Sequence, residues 1–310
     1  MSDYLADAAR CSGCGLCQLV CPAWRQSADV ELTPLGRCKA LQHGAAPAEL
    51  ATSLASCNLC GACEVVCPER IDLFAMTRAL RGALLDAPPE NSALVTRQIP
   101  PATRAARCML VADAALRARP DTLARVLALL GGAVVAEDDG ADIVAAIASG
   151  SPLAPEHIAT FVSQFPAGTR IVVADGLLLR QPLPWPGGSE VLGLGAALGA
   201  LPAVRDCLRT GDLYVIEPCA YHADYERQVV RYDALRIKRR CEINLDLQRI
   251  AIPAGVGTLP QAADATAQAR WIVQGRQLER IVIESENDRA AFEGLGICPV
   301  LHLADVAVKG

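Results

Sequence analysis

Apolar positions in the first 85 residues recur at helical spacing. Ala48, Leu50, Ala51 and Leu54 share a face at i, i+3 intervals, and Leu73, Met76, Leu80 and Leu84 repeat the pattern more strongly. This spacing predicts helices over 32–43, 47–54 and 71–85. Asp86-Ala87-Pro88-Pro89-Glu90-Asn91 and then Pro100-Pro101 break any helix. From residue 107 the pattern changes to short, continuously apolar runs at 108–112, 133–136, 170–174, 213–217, 280–284 and 300–303, with a weaker one at 248–253. They alternate with helical stretches at 121–130, 155–165, 225–239 and 262–277, and a short closing helix at 302–308. Continuous apolar runs separated by helices indicate parallel strands joined by crossover helices. The same order occurs twice, as expected of a degenerate internal repeat.

The chain therefore divides into a helical segment (1–87), a linker (88–106) and two α/β lobes (107–205 and 206–310). The fold class is α+β multidomain. A length of 310 residues accommodates two or three such units. The net charge of −5 changes the picture little. It argues against nucleic acid as a partner, which would need a basic stripe. No stretch reaches the about 18 apolar residues of a membrane-spanning helix. The best candidate, 191–204, is short and contains Gly193, Gly195, Gly199 and Pro202. The opening Met1-Ser2-Asp3-Tyr4 has no signal-peptide character, and the expected location is the cytoplasm, with membrane attachment through a partner left open.

The chemistry lies in the cysteines. Eight of the fourteen fall into two copies of one pattern, Cys11-x-x-Cys14-x-x-Cys17-x-x-x-Cys21-Pro22 and Cys57-x-x-Cys60-x-x-Cys63-x-x-x-Cys67-Pro68. A C-x-x-C-x-x-C turn brings three thiolates to one point, and in two-cluster ferredoxins the fourth comes from the other motif. The expectation is two [4Fe-4S] clusters, one held by Cys11, Cys14, Cys17 and Cys67, the other by Cys57, Cys60, Cys63 and Cys21. Zinc favours separated C-x-x-C pairs, and disulfide frameworks belong to small secreted chains. Gly13, Gly15 and Gly61 permit close backbone approach to sulfur. The 35 residues between Cys21 and Cys57 must fold, which suits a helical ferredoxin. Cys38 among them reads as a buried apolar thiol, with a spare ligand as the lesser reading.

Paired motifs of this kind followed by two α/β lobes resemble the iron–sulfur subunits of glycolate oxidase and of anaerobic glycerol-3-phosphate dehydrogenase, and fused heterodisulfide reductase C/B-type proteins. The lobes resemble that group's pair of cysteine-rich CCG domains. Ile216-Glu217-Pro218-Cys219-Ala220-Tyr221-His222 is similar to its D-P-C-H segment, and Pro299-Val300-Leu301-His302-Leu303-Ala304-Asp305 to its closing segment. The resemblance implies an electron-transfer protein working between a flavoprotein dehydrogenase or electron-transfer flavoprotein and a downstream acceptor, with a membrane-associated or quinone-linked acceptor among the options. This chain departs from the pattern where Glu284 and Asn287 stand in place of a C-x-x-C, and it contains no Cys-Cys-Gly. Its lobes keep only Cys108, Cys207, Cys219, Cys241 and Cys298, expected as buried thiols, with Cys219 and Cys241 the best candidates for any further cluster. The lobes are thus expected as a docking scaffold, degenerate CCG domains that have kept the fold without its chemistry.

Other constellations are weaker. Gly193-x-Gly195-x-x-x-Gly199 has the wrong spacing for dinucleotide binding and reads as a helix or loop of small residues; Gly255-Val256-Gly257 fares no better. His222, near Cys219, reads as a locally bonded loop histidine before a proton carrier or metal ligand, and His43, His157 and His302 read as structural. Arg236-Ile237-Lys238-Arg239-Arg240 ends a helix, where cations favour the dipole; its functional reading is a patch for an acidic partner or a lipid surface. Two other function classes stay open. One is a catalytic heterodisulfide or quinone reductase with an extra redox centre in a lobe, and the other is a redox sensor or scaffold.

Overall fold

The computed structural model describes residues 3–85, 107–247, 249–254 and 266–307. The linker expected at 88–106 lies outside these residues, as do Gln248, the Gly255-Val256-Gly257 run and the first residues of the helix expected at 262–277.

Residues 3–85 form a helical head whose elements have local causes. Asp3, Thr33 and Asp72 cap the helices Tyr4–Ala9, Pro34–Gln42 and Leu73–Gly82 by accepting from amides of their first turns. Pro22 and Pro34 open their helices, where a missing N–H costs nothing. The stretch expected as one helix over 47–54 is a 3₁₀ turn, Pro47–Leu50, running into Ala51–Ala55. Helix Leu73–Gly82 presents the fully buried Met76 and Leu80 to Ala8, Leu41, Leu50 and Leu54.

The rest of the chain is built on two four-stranded parallel sheets. The first contains β1 (Cys108–Val111), β2 (Val134–Val135), β3 (Arg170–Val173) and β4 (Glu190–Gly193) in the order β2-β1-β3-β4. The second contains β5 (Asp212–Val215), β6 (Glu242–Ile243), β9 (Arg280–Ile283) and β10 (Val300–His302) in the order β6-β5-β9-β10. Counted within each sheet, both orders read second-first-third-fourth. The central registers also correspond, Cys108↔Arg170 to Val111↔Val173 in one and Asp212↔Arg280 to Val215↔Ile283 in the other. The weak strand expected at 248–253 is not a member of the second sheet. Ile250–Ala251 (β8) instead pairs antiparallel with Leu245–Asp246 (β7), and β6 takes the edge position. The last expected helix is likewise corrected, with β10 running through His302 and, among the described residues, only a 3₁₀ turn, Asp305–Ala307, after it. Strand β4 and helix Ala141–Ser149 are additional to the expected elements.

The two sheets share a core. One continuous apolar cluster runs from Leu110 and Val172 through Leu198 and Val204 to Tyr214 and Val282. Helices Gly176–Arg180 and Pro218–Ala223 pack so closely that a Cβ on Gly176 would lie 2.6 Å from the Ala220 amide nitrogen. The head rests on both halves of this body. Helix Leu73–Gly82 meets helix Ala141–Ser149, where a Cβ on Gly150 would fall 2.4 Å from the Arg78 carbonyl oxygen. Helix Ala62–Val65 meets Pro218–Ala223 and β8.

Candidate metal centre

Both cysteine motifs fold alike. Gly15 and Gly61, at φ +81° and +80°, sit in the left-handed region and start the short helices Leu16–Leu19 and Ala62–Val65 that carry Cys17 and Cys63. Gly13, at φ +81°, makes the first bend between Cys11 and Cys14. Its counterpart in the second motif is Leu59, at φ +58° and buried. A side chain in this conformation costs about 1–2 kcal/mol, so packing holds Leu59 where glycine would be the unstrained choice.

The eight thiols line two cavities. Cys11, Cys14, Cys17 and Cys67 ring an outer one. Cys21, Cys57, Cys60 and Cys63 ring an inner one, between the head's helices and close to the body. Each cavity thus draws three thiols from one motif and one from the other. None of the fourteen cysteines forms a disulfide. Among the described residues, no group of three or more His, Cys, Asp or Glu side chains is placed to hold a single metal ion. Four thiols spaced around a cavity suit a larger, polynuclear centre.

Burial pushes the Cys17 thiol up to about 12, reinforced by Cys11, Cys14 and Cys67. Burial likewise raises Cys60 to about 12, with Cys57 and Cys21 adding to it against the Ala62 amide. Cys63 is raised for the same reasons. Coordination by a metal core deprotonates a thiol outright, so a centre bound here would displace these protons. The amides of Trp24 and Ala23 favour a thiolate at Cys21, and that of Ala62 one at Cys60, against the effect of burial.

The surroundings of the cavities differ. Around the inner one stand four arginines. The buried Arg37 donates to the Ser53 carbonyl at 3.0 Å and its hydroxyl at 3.2 Å, and Arg81 donates to the carbonyls of Leu54, Cys57 and Ala148. Neither has a carboxylate partner among the described residues. Arg25 pairs with Asp246 and stacks 4.3 Å over Trp271, while Arg180 pairs with Glu64 and stacks 4.4 Å over Phe74. Buried cations without counterions are costly. A centre with four thiolates is net negative and would balance them, so the residues present fit an iron–sulfur cluster. The outer cavity has Lys39, bonded to the Cys11 carbonyl at 3.3 Å, and the solvent-exposed Cys14. Cys38 lies on its wall, but its sulfur points to that of Met76 at 3.9 Å in the head's core.

In the body, the ends of strands hold carboxylates. Asp113, Asp175 and Glu217 follow β1, β3 and β5 and accept from the first amides of the helices beyond. Glu284, after β9, is buried. It accepts from the hydroxyls of Tyr214 and Tyr232, both at 2.5 Å, and from the Glu217 amide at 2.9 Å. A Cβ on Gly195 would lie 1.9 Å from its carboxyl carbon, which explains the glycine at that position. Asn287 donates to Asp113 at 2.9 Å. The body's cysteines are dispersed. Cys241 lies in the shared core with Cys108 and Cys207 packed on it, Cys298 packs on the second sheet, and the Cys219 sulfur lies 3.6 Å from the Leu59 carbonyl. His222 ends a short helix rather than sitting in a loop. Its Nδ1 is 2.7 Å from the Cys60 carbonyl, and burial lowers its pKa to about 4, so it stays neutral. His157 contacts Asp142 at 2.5 Å, and His302 Nε2 lies 3.1 Å from the Glu284 carbonyl. The four arginines have no local sequence signal, because only the fold gathers them.

Residues 7–71 match the family described as the 4Fe-4S dicluster domain. No curated protein and no solved structure matches the chain. The head thus matches a 4Fe-4S dicluster domain at the front of a mixed helix and sheet protein with parallel sheets, and the match suggests iron–sulfur electron transfer. No helix among the described residues is long and apolar enough to cross a membrane.

Proposed function

We propose that this chain is an electron-transfer subunit that holds two [4Fe-4S] clusters and relays single electrons between a flavoprotein dehydrogenase or electron-transfer flavoprotein and a downstream acceptor. Cys11, Cys14, Cys17 and Cys67 hold the outer cluster; Cys57, Cys60, Cys63 and Cys21 hold the inner one. The observation that carries this reading is the pair of neighbouring cavities, each ringed by four thiols drawn from both motifs. Bound clusters supply reversible one-electron chemistry. The chain's own residues do the rest. Glycines and short helices aim the thiols, nearby amides favour the thiolates, and the body covers the inner side while Cys14 stays exposed beside the exposed Leu16 and Leu19. That apolar rim suits a partner's docking surface.

The body is read as a scaffold related to CCG domains. This is supported by the repeated strand order and by the carboxylates at the strand ends, where open α/β sheets bind their ligands. Asp113, Asp175 and Glu217 there satisfy the helix amides that would otherwise recognise an anion. The test is iron and acid-labile sulfide analysis of anaerobically purified chain, with EPR after reduction. Roughly eight irons per chain and two interacting signals are expected; colourless, iron-free protein ends the reading.

A further inference from the structure

Arg180 belongs to the body yet lies against the middle of the second cysteine motif. It ends the helix that follows β3, and a Cβ on Gly61 would meet its guanidinium. The guanidinium is held by Glu64, one residue past Cys63, and by the Phe74 ring at 4.4 Å. Its Nη1 is buried and has no hydrogen-bond partner among the described residues. The thiols that act on it electrostatically are Cys219, Cys63 and Cys60, two of which line the inner cavity. The outer cavity has one cation from the head itself, Lys39, whose Nζ bonds to the Cys11 carbonyl at 3.3 Å and to Gln42 Oε1 at 2.8 Å.

We infer that Arg180 is a positioning residue for the inner cluster's charge: the body places a cation beside that cluster and so makes it the more easily reduced of the two. This rests on the two-cluster reading above. Reduction adds a negative charge, which burial opposes and a neighbouring cation favours. The inner site is the more buried and would be the harder to reduce on burial alone. Arg180 reverses the order together with Arg37 and Arg81, whose partners are carbonyls and a hydroxyl. Electrons that enter at the exposed outer cluster then settle at the inner one. The body is therefore a determinant of redox potential as well as a scaffold.

The test is EPR-monitored potentiometric titration of anaerobic wild type, R180Q and E64Q, with iron measured on each. R180Q leaves Glu64 uncompensated, so the higher of the two midpoints should fall while the lower stays put. E64Q frees the charge of Arg180 and keeps an acceptor for the Phe74 amide, now held by Glu64 at 2.7 Å; the same midpoint should rise. Opposite shifts separate an electrostatic role from structural damage, which would move both variants the same way. If R180Q loses iron, E64Q still decides by the direction of its shift. The inference is overturned if E64Q leaves both midpoints unmoved or lowers one, or if the responsive midpoint is the lower. Wild type without clusters would instead remove the reading on which it rests.

Discussion

Residues 3–85 and 107–307 each contain an internal repeat, and the two repeats preserve different things. In the head, both motifs keep cysteine at identical spacing, and even the left-handed bends recur, at Gly13 and Leu59 and again at Gly15 and Gly61. In the body, both sheets keep strand order and register but few residue identities. A metal core accepts only thiolates placed within a narrow range, so ligation conserves identities. A parallel sheet needs only apolar triplets such as Ile171-Val172-Val173 and Ile281-Val282-Ile283. The strand ends carry no such ligation constraint, and here they hold carboxylates.

The comparison breaks most visibly at the cysteines. Cys60→Ser and Cys14→Ser should each remove roughly half the iron, one cluster of two. Their structural costs should differ. Cys60 is buried against the body, so its loss should also expose the head to protease, whereas loss of the exposed Cys14 should leave the head docked. Iron analysis with limited proteolysis reads both effects. Equal protease sensitivity in the two variants would mean that the inner site does not join head to body.

Glu284→Ala comes next. It strips an acceptor from two buried tyrosine hydroxyls and an amide. Each orphaned donor costs about 1–3 kcal/mol, and neighbouring losses do not add fully, so a total of about 3 kcal/mol or more is expected in denaturant unfolding. Iron content should hold. Loss of iron on the scale of Cys60→Ser would place cluster chemistry in the body and erase the contrast.

Leu59→Gly sharpens the comparison between the motifs themselves. The change relieves about 1–2 kcal/mol of left-handed strain. It also deletes a side chain that is 3 % exposed, and emptying such a site costs about 2–5 kcal/mol. Packing wins, and the second motif should lose net stability on acquiring the glycine that the first requires. A gain in melting temperature would show that Leu59 is merely tolerated.

What can be read from the sequence follows the same division. The cysteine sets are legible because thiolate spacing is a local code. Helix Tyr225–Arg239 and the central strands are legible from apolar runs. Strand β4 is not, because Glu190–Gly193 has only two large apolar residues between a glutamate and a glycine and runs straight into the helix Leu194–Gly199. Nor is the shared core, since no local pattern tells which of two sheets a leucine will face. Glu284 stands out along the chain only as a missing cysteine. Its donors lie 70 and 52 residues away in the chain, and only the folded sheets bring them together. Arg180 shows the same limit, because its importance depends on its place beside Gly61.

The smallest effect concerns pH, and it separates the body's carboxylates from the head's thiols. Burial pushes the Glu217 carboxyl from 4.5 up to about 8, outweighing its hydrogen bonds from the Ala220 and Cys219 amides. Below about 4.5 both folded and unfolded chains hold this proton. Between there and about 8 the unfolded chain releases it while the folded chain keeps it, so ionisation favours unfolding and stability declines as pH rises. Asp113, Asp175 and Glu284 are raised by burial as well, so the slope is shared. Glu217→Gln should therefore flatten the decline between pH 6 and pH 8 without abolishing it, while keeping an oxygen for the helix amides. Denaturant unfolding of both proteins at the two pH values gives the difference directly. If the variant lost stability as steeply as wild type, the Glu217 proton would be shed equally in both states, and its carboxylate would sit at the strand end as an ordinary solvated helix cap.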